Sequence, residues 1–483
     1  MSEKSKFNKV MSTTDILVVA FGAMIGWGWV VSSGRWIQSA GVIGTVMGFI
    51  IGGIMIYFVG MTYAELTPAM PKVGGEHVFS YKAFGATGSF ICTWALILSY
   101  IGVVCFEAVS LPAIIQYIFP SFTGGYMYTV AGSKVYATGV IVAAIFTITI
   151  IVINILGIKA ASILQKVLTA TIAAVGIILI VASAFNGSTI NLEGQLIIGN
   201  GISSLKNVLS VAVVAPFFLF GFDVIPQVAE EINIPLKKIA KVLLFSIICA
   251  VTFYGFVVFA VGYALNASEI VSSIQGTGLV TAFAMEKVFK SSLMAKVLIV
   301  GGLCGVVTSW NSFLIGGSRA IYSMAESRMI PESFASLHSK YKTPVSALLL
   351  IGILSLAAPF FGKTMLVWIS NAASFACCLA YCMVSISFLI LRKKEPDLYR
   401  PYKIKHYKFV GIIASVLSGF MVILYLIPGS GCSLTVEEWI IVGGWTILGI
   451  VFYWFCKYRY KDKFATMNFT EISDAKISLK VGG

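Results

Sequence analysis

The sequence predicts an all-α polytopic membrane protein of twelve helices, on three observations. Of its 483 residues, 58% are hydrophobic and 11% charged, against roughly a quarter charged in a soluble domain. The apolar residues gather in runs of about twenty, the length that crosses a hydrocarbon core of about 30 Å. Basic residues concentrate between those runs, on alternate sides of them. Backbone polar groups in lipid must pair within a helix or a closed barrel, and these runs lack the apolar–polar alternation of barrel strands.

In chain order, segments 1 to 12 are expected near 15–39, 42–66, 88–119, 137–155, 160–184, 208–231, 240–263, 296–325, 344–361, 365–391, 410–427 and 439–455. With the amino terminus inside, the inner connections carry Lys72 and Lys82, then Lys159, then Lys237, Lys238 and Lys241. Arg319, Arg328, Lys340 and Lys342 follow, then Arg392 to Lys394, Arg400, Lys403, Lys405 and Lys408, and the tail adds Lys457, Arg459, Lys461 and Lys463. The outer connections hold scattered Lys134, Lys206 and Lys363, and Lys287 with Lys290 make the weakest case. This alternation predicts a multi-pass protein of the cell membrane with both termini cytoplasmic. It also accounts for the net charge of +14 without a nucleic-acid partner.

Nine cysteines show no metal or disulfide spacing, and seven of them, Cys92 to Cys382, lie inside apolar runs as packing thiols. Cys432 has no evident partner in the last outer connection. Lys4, Lys6 and Lys9 precede a first run too long and too polar at its centre for a cleavable signal.

Two segments carry interruptions. Segment 1 contains Gly22-Ala-Met24-Ile25-Gly26-Trp27-Gly28-Trp29 at mid-membrane, and its glycines lower the cost of unwinding. Unwinding would free the N–H groups of Trp27 and Gly28 and the carbonyls of Gly22, Met24 and Ile25. Close packing of helices through small residues is the competing reading of those glycines. Segment 6 contains Pro216 to Asp223, where Pro216 removes a donor and Gly221 adds freedom. Asp223 is an ionisable group inside an apolar run, which demands a partner or water.

Segments 1 and 6 each lead a group of five, so the chain divides into an amino-terminal segment 1–13, a repeat 14–185, a second repeat 207–391, a helix pair 409–456 and a polar, mobile tail 457–483. Interruptions at matching positions of two repeats point to a transporter's binding site. A half-helix starting after a break presents bare N–H groups and a positive end, which suits a carboxylate. A half-helix ending at a break presents carbonyls, which suit an ammonium or a metal cation. A zwitterionic amino acid satisfies both.

At these residues the chain resembles the amino acid–polyamine–organocation superfamily, over about 7–401. The resemblance lies in the glycine-rich stretch of segment 1. In and after segment 6 it lies in Phe217 to Asp223, Ala229-Glu230-Glu231 and Pro235, with Ile234 inserted after Asn233. Around segment 8 it lies in Ser318-Arg319, Tyr322, Met324-Ala325, Pro331, Phe334, His338 and Thr343-Pro344. Pro71, Gly74-Gly75, Tyr81 and Phe84-Gly85 before segment 3 add to it, as do Arg392, Pro396-Asp397 and Arg400-Pro401 after segment 10. The resemblance implies a five-plus-five inverted repeat of leucine-transporter type.

It also implies a site. The substrate carboxylate would meet the N–H groups of Trp27 and Gly28 beside Gly26. The ammonium would meet the carbonyls of Met24, Phe217 and Phe220. Phe217, Phe218, Phe220 and Phe313 would wall it. Trp27 stands where amino-acid carriers often place a small hydroxyl residue, and its indole offers cation–π contact to an amine instead. The lysine that some members carry on segment 5 is replaced by Ile172, near Thr169 and Thr171. Thr308 and Ser309, with the carbonyls of Gly22, Ile25 and Gly305, stand where sodium-coupled relatives bind their ion. The structural reading of that hydroxyl pair is bonding back to its own helix.

Asp223 and Glu107 remain as intramembrane acids able to carry a proton or gate, with Glu107 expected nearer the outer interface. Glu230 and Glu231 are expected at the cytoplasmic gate or paired with a base. The function expected is secondary active transport of an amino acid by alternating access, coupled to a cation or to exchange, with lipid as surroundings and a possible sodium ion as the sole cofactor. The alternative is carriage of an amine or polyamine lacking the carboxylate. A membrane-embedded enzyme or a channel is the other class. The enzyme is disfavoured because His77, His338 and His406 are all expected in connections.

Overall fold

The computed structural model describes residues 6–467 apart from 277, 429, 431 and 432. Lys4, Cys432 and the tail beyond residue 467 lie outside the described residues. All twelve apolar segments are helical. Among the described residues nine helices are long and apolar enough to cross a bilayer, and the bent pair Thr13–Met24 and Gly28–Ala40 makes ten. Two shorter apolar helices, Ile202–Phe218 and Val345–Ala357, are the other members of the expected twelve.

The helices begin and end where local chemistry dictates. Ser12 caps segment 1 by accepting from the Asp15 N–H at 3.3 Å, while the Asp15 carboxylate accepts from the Ser12 N–H at 2.8 Å. Thr435 and Glu438 form the same reciprocal cap on segment 12. Segment 4 spans Ala137–Ile155. Segment 3 is a helix over Gly75–Ile118 that swings at Gly85, whose φ of +78° is open to glycine alone without strain. The stretch before the swing is buried, and His77, expected in a connection, lies inside it. Its ring nitrogens meet the hydroxyls of Ser89 at 2.8 Å and Ser327 at 2.9 Å.

Three elements were not expected. A β-hairpin pairs Tyr126–Val130 with Ser133–Tyr136 between segments 3 and 4. Two short helices, Ala267–Gln275 and Val280–Phe289, stand between segments 7 and 8. The Thr281 hydroxyl of the second donates to the Val30 carbonyl at 2.5 Å, tying it to the second half of segment 1.

Segment 3 packs along segments 8 and 10, segment 2 along segments 6 and 7, and segment 1 lies among segments 5, 7 and 8. Segments 11 and 12 lie at the periphery, with Ile412, Val416, Ile440 and Ile447 exposed as lipid-facing side chains are. Segment 12 is fastened to segment 3 by a reciprocal pair: the Trp94 indole donates to the Trp445 carbonyl at 2.8 Å, and the Trp445 indole to the Trp94 carbonyl at 2.9 Å. The two rings stack with centroids 4.4 Å apart.

Candidate functional site

Segment 1 loses helical geometry at Ile25, whose ψ is +37°, and resumes at Gly28 after a bend of 45°. The first N–H groups of the resumed helix have no carbonyl within their own helix to pair with. Segment 6 stops at Phe218, turns through residues 219–223 and resumes as the single turn Val224–Gln227. Pro216 does not end the helix itself, but its carbonyl accepts the Leu219 N–H at 3.0 Å, which tightens the last turn. The two breaks abut. Gly221, with φ of +131°, presses on the backbone of Ala23 and Met24, 3.2 Å from where its Cβ would stand.

A cavity of about 310 Å³ opens between the breaks. Met24, Gly26, Trp27, Gly28, Phe217, Phe218, Phe220 and Phe313 all line it. Small residues are required here. A Cβ on Gly28 would strike the Phe218 ring, and one on Gly302 would strike the Trp27 indole. The cavity runs along the second half of segment 1 as far as Arg35, and Asn371 of segment 10 lines its flank.

The amino-terminal side is sealed. Arg319 Nε and Nη2 donate to the two carboxylate oxygens of Glu231 at 2.9 and 3.2 Å, with both side chains almost wholly buried. The N–H groups of Val10 and Met11 donate to the Glu231 carbonyl at 3.0 and 2.9 Å, which lays the amino-terminal strand across the closure. Phe7 meets the Tyr322 ring edge-on at 5.1 Å.

The two intramembrane acids part company. Asp223 is fully buried and does not line the cavity. Its carboxylate accepts from the Tyr100 hydroxyl at 2.8 Å, the Tyr381 hydroxyl at 2.9 Å and the Gly221 N–H at 2.9 Å. It therefore ties the turn of segment 6 to segments 3 and 10. Glu107 stands beside the segment 1 break rather than at the outer interface: its Oε1 lies 3.6 Å from the place a Gly26 Cβ would take, and it lines the cavity.

Of the oxygen set around segment 8, the Thr308 hydroxyl lies 3.0 Å from the Gly22 carbonyl and 2.9 Å from that of Gly305, so both the contact across to segment 1 and the bond back along its own helix are present. Ser309 turns toward Gly26, where its hydroxyl and Glu107 Oε1 each lie 3.6 Å from the place a Cβ would take. Ile172 is buried against Gly305.

Sequence reasoning missed a chain of buried amides. Asn154 Nδ2 donates to Asn311 Oδ1 at 2.8 Å, and Asn311 Nδ2 to Gln165 Oε1 at 2.8 Å. Gln165 Nε2 lies 3.2 Å from the carbonyls of both Val18 and Thr308. The chain joins segments 4, 8, 5 and 1. The signal was three carboxamide side chains in otherwise apolar runs, groups that must find partners in lipid.

The amino acid permease family model matches residues 11–467. The chain is 24% identical over 476 residues to the branched-chain amino acid permease of Bacillus subtilis strain 168, covering 97% of this chain and 96% of that one. It is 23% identical over 480 residues to the methylthioribose transporter of the same organism, covering 97% and 96%. It is 24% identical over 428 residues to that organism's aspartate-proton symporter, covering 87% and 80%. With two broken helices meeting at a walled cavity and a family match across nearly its whole length, this chain belongs to the amino acid permease family and is a multi-pass membrane transporter, not an enzyme.

Proposed function

We propose that the protein is a secondary active transporter that moves an amino acid across the cell membrane by alternating access, driven by a cation or by exchange. The observation that carries this is the abutment of the two breaks at Gly221 and Ala23, with one cavity lined from both. Unwound backbone at membrane depth persists only where it lines a cavity or is buried in protein, and paired breaks of this kind mark substrate sites. In this reading the carboxylate takes the N–H groups of Trp27 and Gly28, and Phe217, Phe218, Phe220 and Phe313 enclose the rest of the substrate. The twelve segments all cross the bilayer, 14–185 and 207–391 are the inverted repeats, and the termini are cytoplasmic. The seal at Glu231 and Arg319 then closes the cytoplasmic side.

For coupling, the carbonyls of Gly22 and Gly305 and the hydroxyl of Thr308 supply three hard oxygens at one point, the chemistry a sodium ion takes. The Ser309 hydroxyl faces Gly26 instead, which leaves that set short of the five expected oxygens. Uptake of labelled amino acids into proteoliposomes, with sodium and with choline in its place, tests both readings. Gly28→Leu is expected to abolish uptake while the protein stays folded. Uptake by that variant at the native rate would remove the site.

A further inference from the structure

Glu107 is a carboxylate that the fold leaves unmatched. It is 3% exposed. Its Oε2 has no hydrogen-bond partner, and among the described residues it makes no ion pair. Its Oε1 faces Gly26, at the break of segment 1, and the Ser309 hydroxyl stands on the same side, each 3.6 Å from the place a Gly26 Cβ would take. A buried anion without a counter-charge is strongly disfavoured, so the site calls for a cation that the chain does not provide. One of the three carbonyls available to an ammonium is already engaged, since the Tyr254 hydroxyl donates to the Met24 carbonyl at 3.0 Å.

Resting on the amino-acid reading above, we infer that Glu107 is the counter-charge for the substrate's ammonium, and that the cavity selects 2-amino acids with uncharged, apolar side chains. The spacing supports the head group. Glu107 Oε1 stands 3.6 Å from the place a Gly26 Cβ would take, and the free N–H groups begin at the next residue. An anion and a set of N–H donors on adjoining residues match an ammonium and a carboxylate borne on one carbon. The wall supports the side chain. Among the residues lining the cavity, Glu107 and Arg35 alone are charged. Arg35 is exposed at the mouth, seven residues beyond Gly28 and therefore about 10 Å along the helix. A second ammonium deep in the cavity would find phenylalanine rings and no acid, and a second carboxylate would meet Glu107.

The test uses purified full-length protein in nanodiscs, with affinities for L-leucine, L-phenylalanine, L-lysine, L-glutamate and 2-hydroxy-4-methylpentanoate, the hydroxy analogue of leucine. The native protein is expected to bind leucine or phenylalanine most tightly and to reject the hydroxy acid. Glu107→Gln is expected to weaken leucine by about 30-fold or more, the loss typical of removing one partner of a buried charged pair, and to bring leucine and the hydroxy acid to within about threefold of each other. Leucine affinity within about threefold of native in Glu107→Gln would overturn the inference, and would leave Glu107 as a proton carrier. Tighter binding of lysine or glutamate by the native protein would overturn the side-chain class. Should Glu107→Gln fail to fold, Glu107→Asp decides: it must weaken leucine by about tenfold and leave the hydroxy acid unchanged, and equal leucine affinity overturns the inference. Binding of none of the amino acids to the native protein, or native binding by Gly28→Leu, would instead sink the proposed function.

Discussion

Gly221 and Ala23 stand so close that a Cβ on the glycine would lie 2.5 Å from the alanine Cβ. Two helices that cross the same membrane therefore touch at the points where both are unwound. Gly221→Ala combines that collision with a φ of +131°, a region that costs other residues roughly 1–3 kcal/mol. Uptake in proteoliposomes is expected to fall by about tenfold or more, with a lowered melting temperature in detergent. Gly85→Ala, at a positive φ with open space around it, is expected to lower the melting temperature with much less effect on uptake.

The closure formed by Glu231 and Arg319 is a fully desolvated ion pair. Removing one partner strands the other, at a cost of about 3–5 kcal/mol, whereas replacing both with apolar side chains is often neutral. Arg319→Ala is therefore expected to be much less stable than the double change Arg319→Met with Glu231→Leu. Thermal unfolding of the three proteins measures the order. Equal melting temperatures for the single and double variants would refute the pairing.

Asp223 collects two tyrosine hydroxyls from different segments. Tyr100→Phe and Tyr381→Phe are each expected to cost about 0.6 kcal/mol and at most about 1.7, the average and upper value for hydrogen bonds between membrane helices. Asp223→Asn is expected to cost more than either, because it leaves one acceptor oxygen for three donors. A double-mutant cycle across Tyr100 and Asp223, read by unfolding, should show a coupling that a cycle across Tyr100 and Arg319 lacks.

The amides of Asn154, Asn311 and Gln165 form a chain in which the middle member donates and accepts. Asn311→Leu should therefore be more damaging than Asn154→Leu, since it leaves both neighbours short of a partner, and each stranded buried group costs about 1–3 kcal/mol. The melting temperatures of the two variants check this directly.

Much of this was legible in the sequence because a lipid solvent leaves the chain few options. Runs such as 137–155 had to be helices, and segment 4 occupies those residues. The breaks were legible because Gly26, Gly28, Pro216 and Gly221 are expensive in a helix and appear together. What escaped were elements too short or too polar to stand out by hydropathy: the buried helix before Gly85, the pair 267–275 and 280–289, and the β-hairpin with its exposed Tyr126. The placement of the two acids escaped for a different reason. Which way Glu107 and Asp223 face depends on the rotation of segments 3 and 6 about their axes, and that is set by contacts such as Trp94 with Trp445 and Gly221 with Ala23, between residues far apart in the chain.

The fastening of segment 12 reaches further than its peripheral position suggests. Trp445 grips segment 3 through Trp94, and Glu438, in the cap at the other end of the same helix, accepts from Asn371 on the cavity flank at 2.6 Å. Transmembrane helices accommodate bilayer thickness by tilting, and this one is wired to both segment 3 and the cavity. Acyl-chain length in reconstituted vesicles is expected to tune turnover, and severing Asn371 from Glu438 by Asn371→Leu should flatten that dependence.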